Sequence, residues 1–353
     1  MFKYKIFLIL ICLLSITFQK TFAKESRGAN LFITFTDVKD PNPRKDYVNY
    51  YLYNSVNNKE DHLLRQLSFI YPTGIVSNDK KNLYINGLNN GSGKTYVQLY
   101  HRSLLPQANS RNVLLTSNSN IHNVDHMRIN NAEAKIYMRV LQPNYSNCKL
   151  ATYDLKTKKT EIWNKENKDN EVHNFDYSPV SNQLITLEFS SSEEMFSIER
   201  ANREQELLKP LTYHVILYDS LGNKIREVTT IKKHILDISF SPDAKSVLLS
   251  TSNPQYDEKD PEHIVYVLNL ETGETKELFR DTEKYKKIKQ AQYSPDGKKI
   301  YFLTVEKNAP TLGDQEGRRV RPRILAAYDV DTGKISEVWK KEKGTINNFL
   351  VLY

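Results

Sequence analysis

Residues 291–302 read Ala291-Gln-Tyr-Ser-Pro-Asp-Gly-Lys-Lys-Ile-Tyr-Phe302: an alternating apolar strand, a tight turn and a second apolar strand. The same unit stands at Ile238-Ser-Phe-Ser-Pro-Asp-Ala-Lys-Ser-Val-Leu-Leu249 and, degraded, at Phe175-Asp-Tyr-Ser-Pro-Val-Ser-Asn-Gln-Leu-Ile-Thr186. Met127-Arg-Ile-Asn-Asn-Ala-Glu-Ala-Lys-Ile-Tyr-Met138 and Gly74-Ile-Val-Ser-Asn-Asp-Lys-Lys-Asn-Leu-Tyr-Ile85 are weaker copies. With Ser77, Asn130, Ser178, Ser241 and Ser294 as anchors, the spacings are 53, 48, 63 and 53 residues, the period of a repeat array. Each unit carries a second hairpin, clearest in Ile324-Leu-Ala-Ala-Tyr-Asp-Val-Asp-Thr-Gly-Lys334 and Val265-Tyr-Val-Leu-Asn-Leu-Glu-Thr-Gly-Glu274. Glycine in those turns accepts the positive φ that tight hairpins need. A short apolar strand closes each unit, so the pattern predicts a four-stranded propeller blade.

The ends complete the array. Leu31-Phe-Ile-Thr-Phe35 looks like a second strand with no first, and Asn348-Phe-Leu-Val-Leu-Tyr353 like a first strand with nothing after it. Pairing them would leave no naked inner edge. The expectation is an all-β, six-bladed β-propeller of four-stranded blades, closed by strands from both termini, as a single domain over 24–353.

Composition agrees with sheet. Hydrophobic residues at 39%, charged at 26%, 22 tyrosines and 14 phenylalanines exclude a disordered or collagen-like chain. Lys3 and Lys5 precede an apolar run over 6–14, and Thr21-Phe-Ala23 follows as a small-residue cleavage site. Residues 1–23 therefore read as a signal peptide, and the protein as secreted or held in the cell envelope. The run is short for a bilayer span, which takes about 20 residues. Cleavage leaves Cys148 as a lone thiol, without an intramolecular disulfide or a cysteine zinc site.

The Ser-Pro-Asp-Gly-Lys-x-Ile-x-Phe units resemble the WD-like repeats of TolB-type six-bladed propellers, across essentially all of 24–353. The resemblance implies the fold and says little about function.

Blade geometry sorts the loops into two faces. Short, similar Ser-Pro-Asp-Gly turns would lie on the bottom face and read as structural; variable loops would lie on top, where function usually sits. Four residues before each anchor stand Thr73, His126, Asn174, Asp237, Gln290 and, in the sixth blade, Asn348, all polar between apolar neighbours. This alternation predicts a polar ring at the channel mouth that binds a small polar ligand or an ion. Arg128, Asp176, Ser239 and Gln292 follow on the same side. His122, Asp125 and His126 have metal-ligating chemistry but sit on a loop entering a strand, so no metal is assigned to them. Asp176 and Asp237 would be the acid/base pair of an enzyme.

Two top loops are long. Residues 190–210 hold helix formers with Phe196, Ile198, Leu207 and Leu208, predicting a short helix packed over the top. Residues 306–323 contain Arg318, Arg319, Arg321 and Arg323, which with Lys286, Lys287 and Lys289 predict a basic patch for an acidic protein or an anionic envelope polymer. Nucleic acid is not expected, because no aromatic stacking platform accompanies the basic run. Gly91-Ser-Gly-Lys-Thr95 lacks both the spacing and the following helix of a phosphate loop. With no complete nucleophile motif, the expected protein is a monomeric, cofactor-free, non-catalytic binding or scaffold propeller, acting through its top face and channel mouth. The alternative is a hydrolase or lyase acting on a glycan or lactone at that mouth.

Overall fold

The computed structural model describes residues 28–353 apart from 39–45, 68–70, 90–95, 107–110, 118–119, 144–146, 254–260 and 314–318. The signal-peptide reading of 1–23 and the glycine loop 91–95 lie outside the described residues.

The chain is an all-β propeller with four-stranded blades. The first sheet joins both ends of the chain: β1 (Asn30–Asp37), β2 (Tyr47–Asn54) and β3 (Lys59–Leu67) are preceded in space by the last strand, β26 (Gly344–Leu352). β1 pairs antiparallel with β26 from Asn30↔Leu352 to Asp37↔Gly344. Next along the chain come β4 (Gly74–Val76), β5 (Asn82–Asn89), β6 (Tyr96–Ser103) and β7 (Val113–Leu114), then β8 (Asn123–Asn130), β9 (Lys135–Leu141), β10 (Cys148–Asp154) and β11 (Thr160–Ile162). The following sheet is β12 (Asn170–Ser178), β13 (Gln183–Ser190), β14 (Thr212–Asp219) and β15 (Lys224–Lys232). After it come β16 (His234–Phe240), β17 (Ser246–Asn253), β18 (Glu262–Asn269) and β19 (Thr275–Arg280). The last is β20 (Tyr285–Tyr293), β21 (Lys299–Glu306), β24 (Arg323–Asp329) and β25 (Ile335–Trp339), with a small hairpin of β22 (Leu312–Gly313) and β23 (Arg319–Val320) between.

Six separate sheets were expected; among the described residues there are four separate four-stranded blades, one eight-stranded sheet, β4 to β11, and the two-stranded β22–β23 sheet. The merger has a local cause. β7 is two residues long and covers only Tyr100 and His101 of β6. The uncovered start of β6 meets β8 instead: Val97 pairs with Asn123, and Val97 N–H donates to His122 O at 3.0 Å.

The repeated turns explain the repeated sequence. Ser294 Oγ donates to Asp296 Oδ1 at 2.6 Å and accepts from Lys299 N at 2.9 Å, and Gly297 takes φ +72°. Ser241 with Asp243 and Ser77 with Asp79 make the same bonds, so the Ser-x-Asp triplet, more than the glycine, defines the unit. Ala244 and Lys80 occupy the left-handed position at φ +57°, a modest cost that glycine avoids.

Apolar residues alternate along the strands and bury on both faces, as packed blades require. Separate clusters fill the space between successive sheets, for example Phe175, Leu184 and Tyr218 against Tyr137 and Trp163. One cluster, with Leu31, Ile33, Tyr301, Leu303 and Trp339, lies between the last sheet and the first. The predicted helix forms over Ser191–Glu204, with Ser190 Oγ accepting from Glu193 N at 3.0 Å. It buries none of its residues, and Met195 and Phe196 are exposed, so it does not pack over the top as expected.

Candidate functional site: the channel and its two mouths

Inner strands β8, β12, β16 and β26 each carry an irregularity where one residue has no cross-strand partner: Asp125, His173, Leu236 and Asn347. In β20 the register shifts on both sides of Lys289, and Lys287 and Gln290 have φ of +59° and +54°. Such bulges bend a strand and re-aim the side chain that follows. Here the following residues are His126, Asn174, Asp237, Gln290 and Asn348, which belong to the predicted ring.

The structure brings that ring together. Thr73, His126, Asp237, Gln290 and Asn348 line one cavity of about 20 Å³, and Asn174 joins it by donating to Asp237 Oδ1 at 3.0 Å. That volume holds about one water molecule. Most of the polar groups are spent on the neighbouring blade. His126 Nε2 meets Phe175 O at 3.0 Å, Gln290 N donates to Asp237 Oδ2 at 3.2 Å, and Asn348 Nδ2 donates to Pro72 O at 3.1 Å. Thr73 N donates to Asn86 Oδ1 at 2.8 Å. Two residues further along, a second tier repeats the device. Asp176 accepts from Arg128 Nε and from Phe240 N, Ser239 Oγ donates to Ala291 O, and Gln292 bridges Phe349 O and Val351 N. Of the ring, Gln290 Oε1 and Asn348 Oδ1 are buried with no hydrogen-bond partner among the described residues.

Electrostatics follow from burial. Desolvation holds His126 well below its ordinary range and lowers His173 to about 4, so both imidazoles are neutral at pH 7. Asp237 is pushed up to about 6 by burial, against the opposing pull of Lys289 and of the bonds from Gln290 and Asn174.

The other expected clusters come apart. Asp125 is held by both Nε and Nη2 of Arg139, His126 turns to Phe175 O, and His122 packs edge-on against Tyr96. Among the described residues no group of three or more His, Cys, Asp or Glu could hold a metal ion. Asp176 accepts from Arg128 Nε on one oxygen and from Phe240 N on the other. The basic patch divides. Arg321 is exposed, while Lys286 and Lys287 are half-buried. Arg323 donates to Ile346 O and Asn347 O of the inner strand β26, and Lys289 lies within electrostatic reach of Arg323 and Asp237. Arg318 lies outside the described residues, and Arg319 is placed in β23. Lysines around this blade meet acids, as in Lys307–Glu283 at 2.9 Å and Lys340–Glu337 at 2.8 Å.

On the turn side the channel opens into a funnel of about 390 Å³. Ile129, Tyr177, Pro179, Val180, Pro242 and Tyr353 are among its walls, and Arg128 and Asp176 are shared with its floor. Val180 is 67% exposed and Tyr353 50%. Arg128 donates through Nε and Nη1 to Asp176 and Met127 O; its Nη2 has no partner among the described residues. Sequence reasoning treated this face as structural. Its signal was the apolar residues beside two of the turns, Pro179, Val180 and Pro242, and the apolar Val351-Leu-Tyr353 stretch. A larger open groove of about 970 Å³ between β7 and β11 shares no lining residue with the channel.

Comparison with known proteins agrees on architecture. No family model matches the chain. An uncharacterized protein, YdjN, of Bacillus subtilis (strain 168) is 29% identical over 188 residues, so the chain spans about half the length of the curated relative it matches. TolB from Acinetobacter baumannii superposes with a TM-score of 0.59 at 13% identity, over 91% of this chain and 66% of TolB, slightly under two thirds of that protein. An oligogalacturonate lyase solved in complex with manganese gives a TM-score of 0.51 at 10% identity, over 88% of this chain and 74% of the lyase. Identities this low speak for the fold alone. No helix among the described residues is long and apolar enough to cross a membrane. What sheet order, inner-strand geometry and structural likeness establish together is a TolB-like β-propeller fold.

Proposed function

We propose that this is an exported, non-catalytic binding propeller of six blades, with the eight-stranded sheet counted as two and the β1–β26 pairing as the closure. The observation that carries the binding role is the turn-side funnel: about 390 Å³, apolar walls, and one free donor at the floor, Arg128 Nη2. Ligand sites usually combine those features. The reading places partner engagement at the turn-side mouth, the face opposite the one favoured by loop variability. A partner segment with an apolar side chain and one acceptor fits it. The binding reading is put first because the funnel supplies apolar walls and a donor, while Asp176 and Asp237 serve in hydrogen bonds that tie inner strands together.

A photo-reactive benzophenone residue placed at Tyr353 tests the reading, with one at exposed Lys276 on an outer strand as control. The mature protein should cross-link one discrete partner from envelope extract through position 353 and not through 276. Equal capture at both, or capture at neither alongside turnover of a glycan or lactone, would replace binding with the enzyme reading.

A further inference from the structure

The throat at the other end of the channel contains two arginines in similar employment. Arg139 Nη1 donates to His173 O in the next inner strand, and its remaining face is occupied by Asp125 through Nε and Nη2. Arg323 Nη1 likewise reaches the next inner strand, at Ile346 O and Asn347 O, 3.2 and 3.4 Å away. Its other donors, Nε and Nη2, meet nothing among the described residues. The blades themselves explain the difference. Five residues before the anchor, the blade of Arg139 has Asp125, whereas the blade of Arg323 has Lys289. One blade supplies a carboxylate to its arginine; the other supplies a second cation.

Buried charges are paired in folded proteins, because an unpaired one forfeits its hydration for nothing. Lys289 and Arg323 make no ion pair with any described residue, and each is half-buried. Burial and the neighbouring Arg323 both lower the Lys289 ammonium, to about 8, and burial lowers Arg323. Asp237 is the one carboxylate acting on Lys289, and it already accepts from Asn174 and Gln290. Lys289 is held there by irregular backbone on both sides, including left-handed Lys287 and Gln290. Strain of that kind persists where the surroundings enforce it, and it gathers at functional sites.

We propose that the throat between β20, β24 and β26 is a binding site for a small oxyanion, a carboxylate or phosphate group, held by Lys289 Nζ and the free Nε and Nη2 edge of Arg323. The anion takes the place that Asp125 occupies beside Arg139. Planar guanidinium and a point ammonium together suit such a group. The site is independent of the funnel and of any protein partner.

The test is titration of the mature protein with inorganic phosphate and, separately, acetate in low-chloride buffer, followed by calorimetry and by thermal midpoint. At least one should bind saturably, and the tighter of the two assigns the group. Lys289→Met should weaken that binding at least tenfold, and Lys289→Arg should retain it. Arg321→Met, in the same loop but exposed, and Val180→Glu, in the funnel, should leave it unchanged. Near-UV circular dichroism of Lys289→Met checks that its fold is intact. Binding of neither anion, or binding lost in Arg321→Met and kept in Lys289→Met, would overturn the proposal.

Discussion

The two mouths of the channel are built from the same inner strands and differ in nearly everything else. At the turn side the strands end in Ser-Pro-type corners, and Pro179, Val180, Pro242 and Tyr353 splay into an apolar funnel. Further along, at the polar ring, the strands bulge, the polar residues lean across to the next blade, and the cavity shrinks to about 20 Å³; Lys289 and Arg323 are not among the residues lining that cavity. A propeller repeats a backbone, and small departures from the repeat decide what each end can hold. The funnel needs only apolar residues beside the turns. The throat turns on one exchange, Lys289 standing where another blade has Asp125.

The comparison is easiest to break where the two regions meet. Arg128 and Asp176 have side chains only 12% and 11% exposed and lie between funnel and throat. Asp176→Ala would strand the guanidinium and leave Phe240 N without an acceptor. It should cost about 3–5 kcal/mol in urea unfolding. A cost near zero would mean that the junction is wet and open.

Lys289→Met sharpens the contrast from the throat. A lysine lowered from 10.5 to about 8 is disfavoured as a cation in the folded state. Its cost is fully present below pH 8 and fades as pH rises towards 10.5. The variant should therefore be more stable than the parent by about 2 kcal/mol at pH 7, after allowance for partial solvation, and should lose that advantage above pH 10.5. Saturating oxyanion should shrink the gap, because it stabilises the tighter-binding parent more than the variant.

The smallest effect belongs to the funnel rim. Val180→Asp, at a position 67% exposed, should move stability by no more than about 0.5 kcal/mol yet abolish cross-linking through Tyr353. Stability lost in step with binding would make the rim a packing element.

How far the sequence reached follows the range of the forces involved. The Ser294–Asp296 turn is legible because its hydrogen bonds span five residues, and the chemistry repeats at Ser241 and Ser77. The inner strands and the sidedness of Thr73, His126 and Asp237 were legible from alternation alone. The bulges at Asp125, His173 and Leu236 were not, since a bulge exists only relative to a partner strand. Without them the ring looked like free ligand groups; with them, most of its members tie blade to blade. Lys289 and Arg323 are not separable in the sequence from the rest of the basic patch, because a run of basic residues does not reveal which members find no acidic partner. The merger of β6 with β8 depended on how short β7 would be, a matter of a few residues in a variable loop. The helix at Ser191–Glu204 was legible from its formers and its cap, and its lack of buried contacts was not.

The central claim is that the polar belt inside the channel holds blades together and that binding belongs to its two ends. Gln292 tests it most directly, because its amide joins β20 to both Phe349 O and Val351 N of β26. Gln292→Leu should leave two buried backbone groups unsatisfied and lower the urea midpoint by an amount equivalent to about 2 kcal/mol, with phosphate binding at the throat and cross-linking through Tyr353 both preserved. Unchanged stability together with loss of either binding activity would contradict the claim and return the belt to the role of a ligand ring.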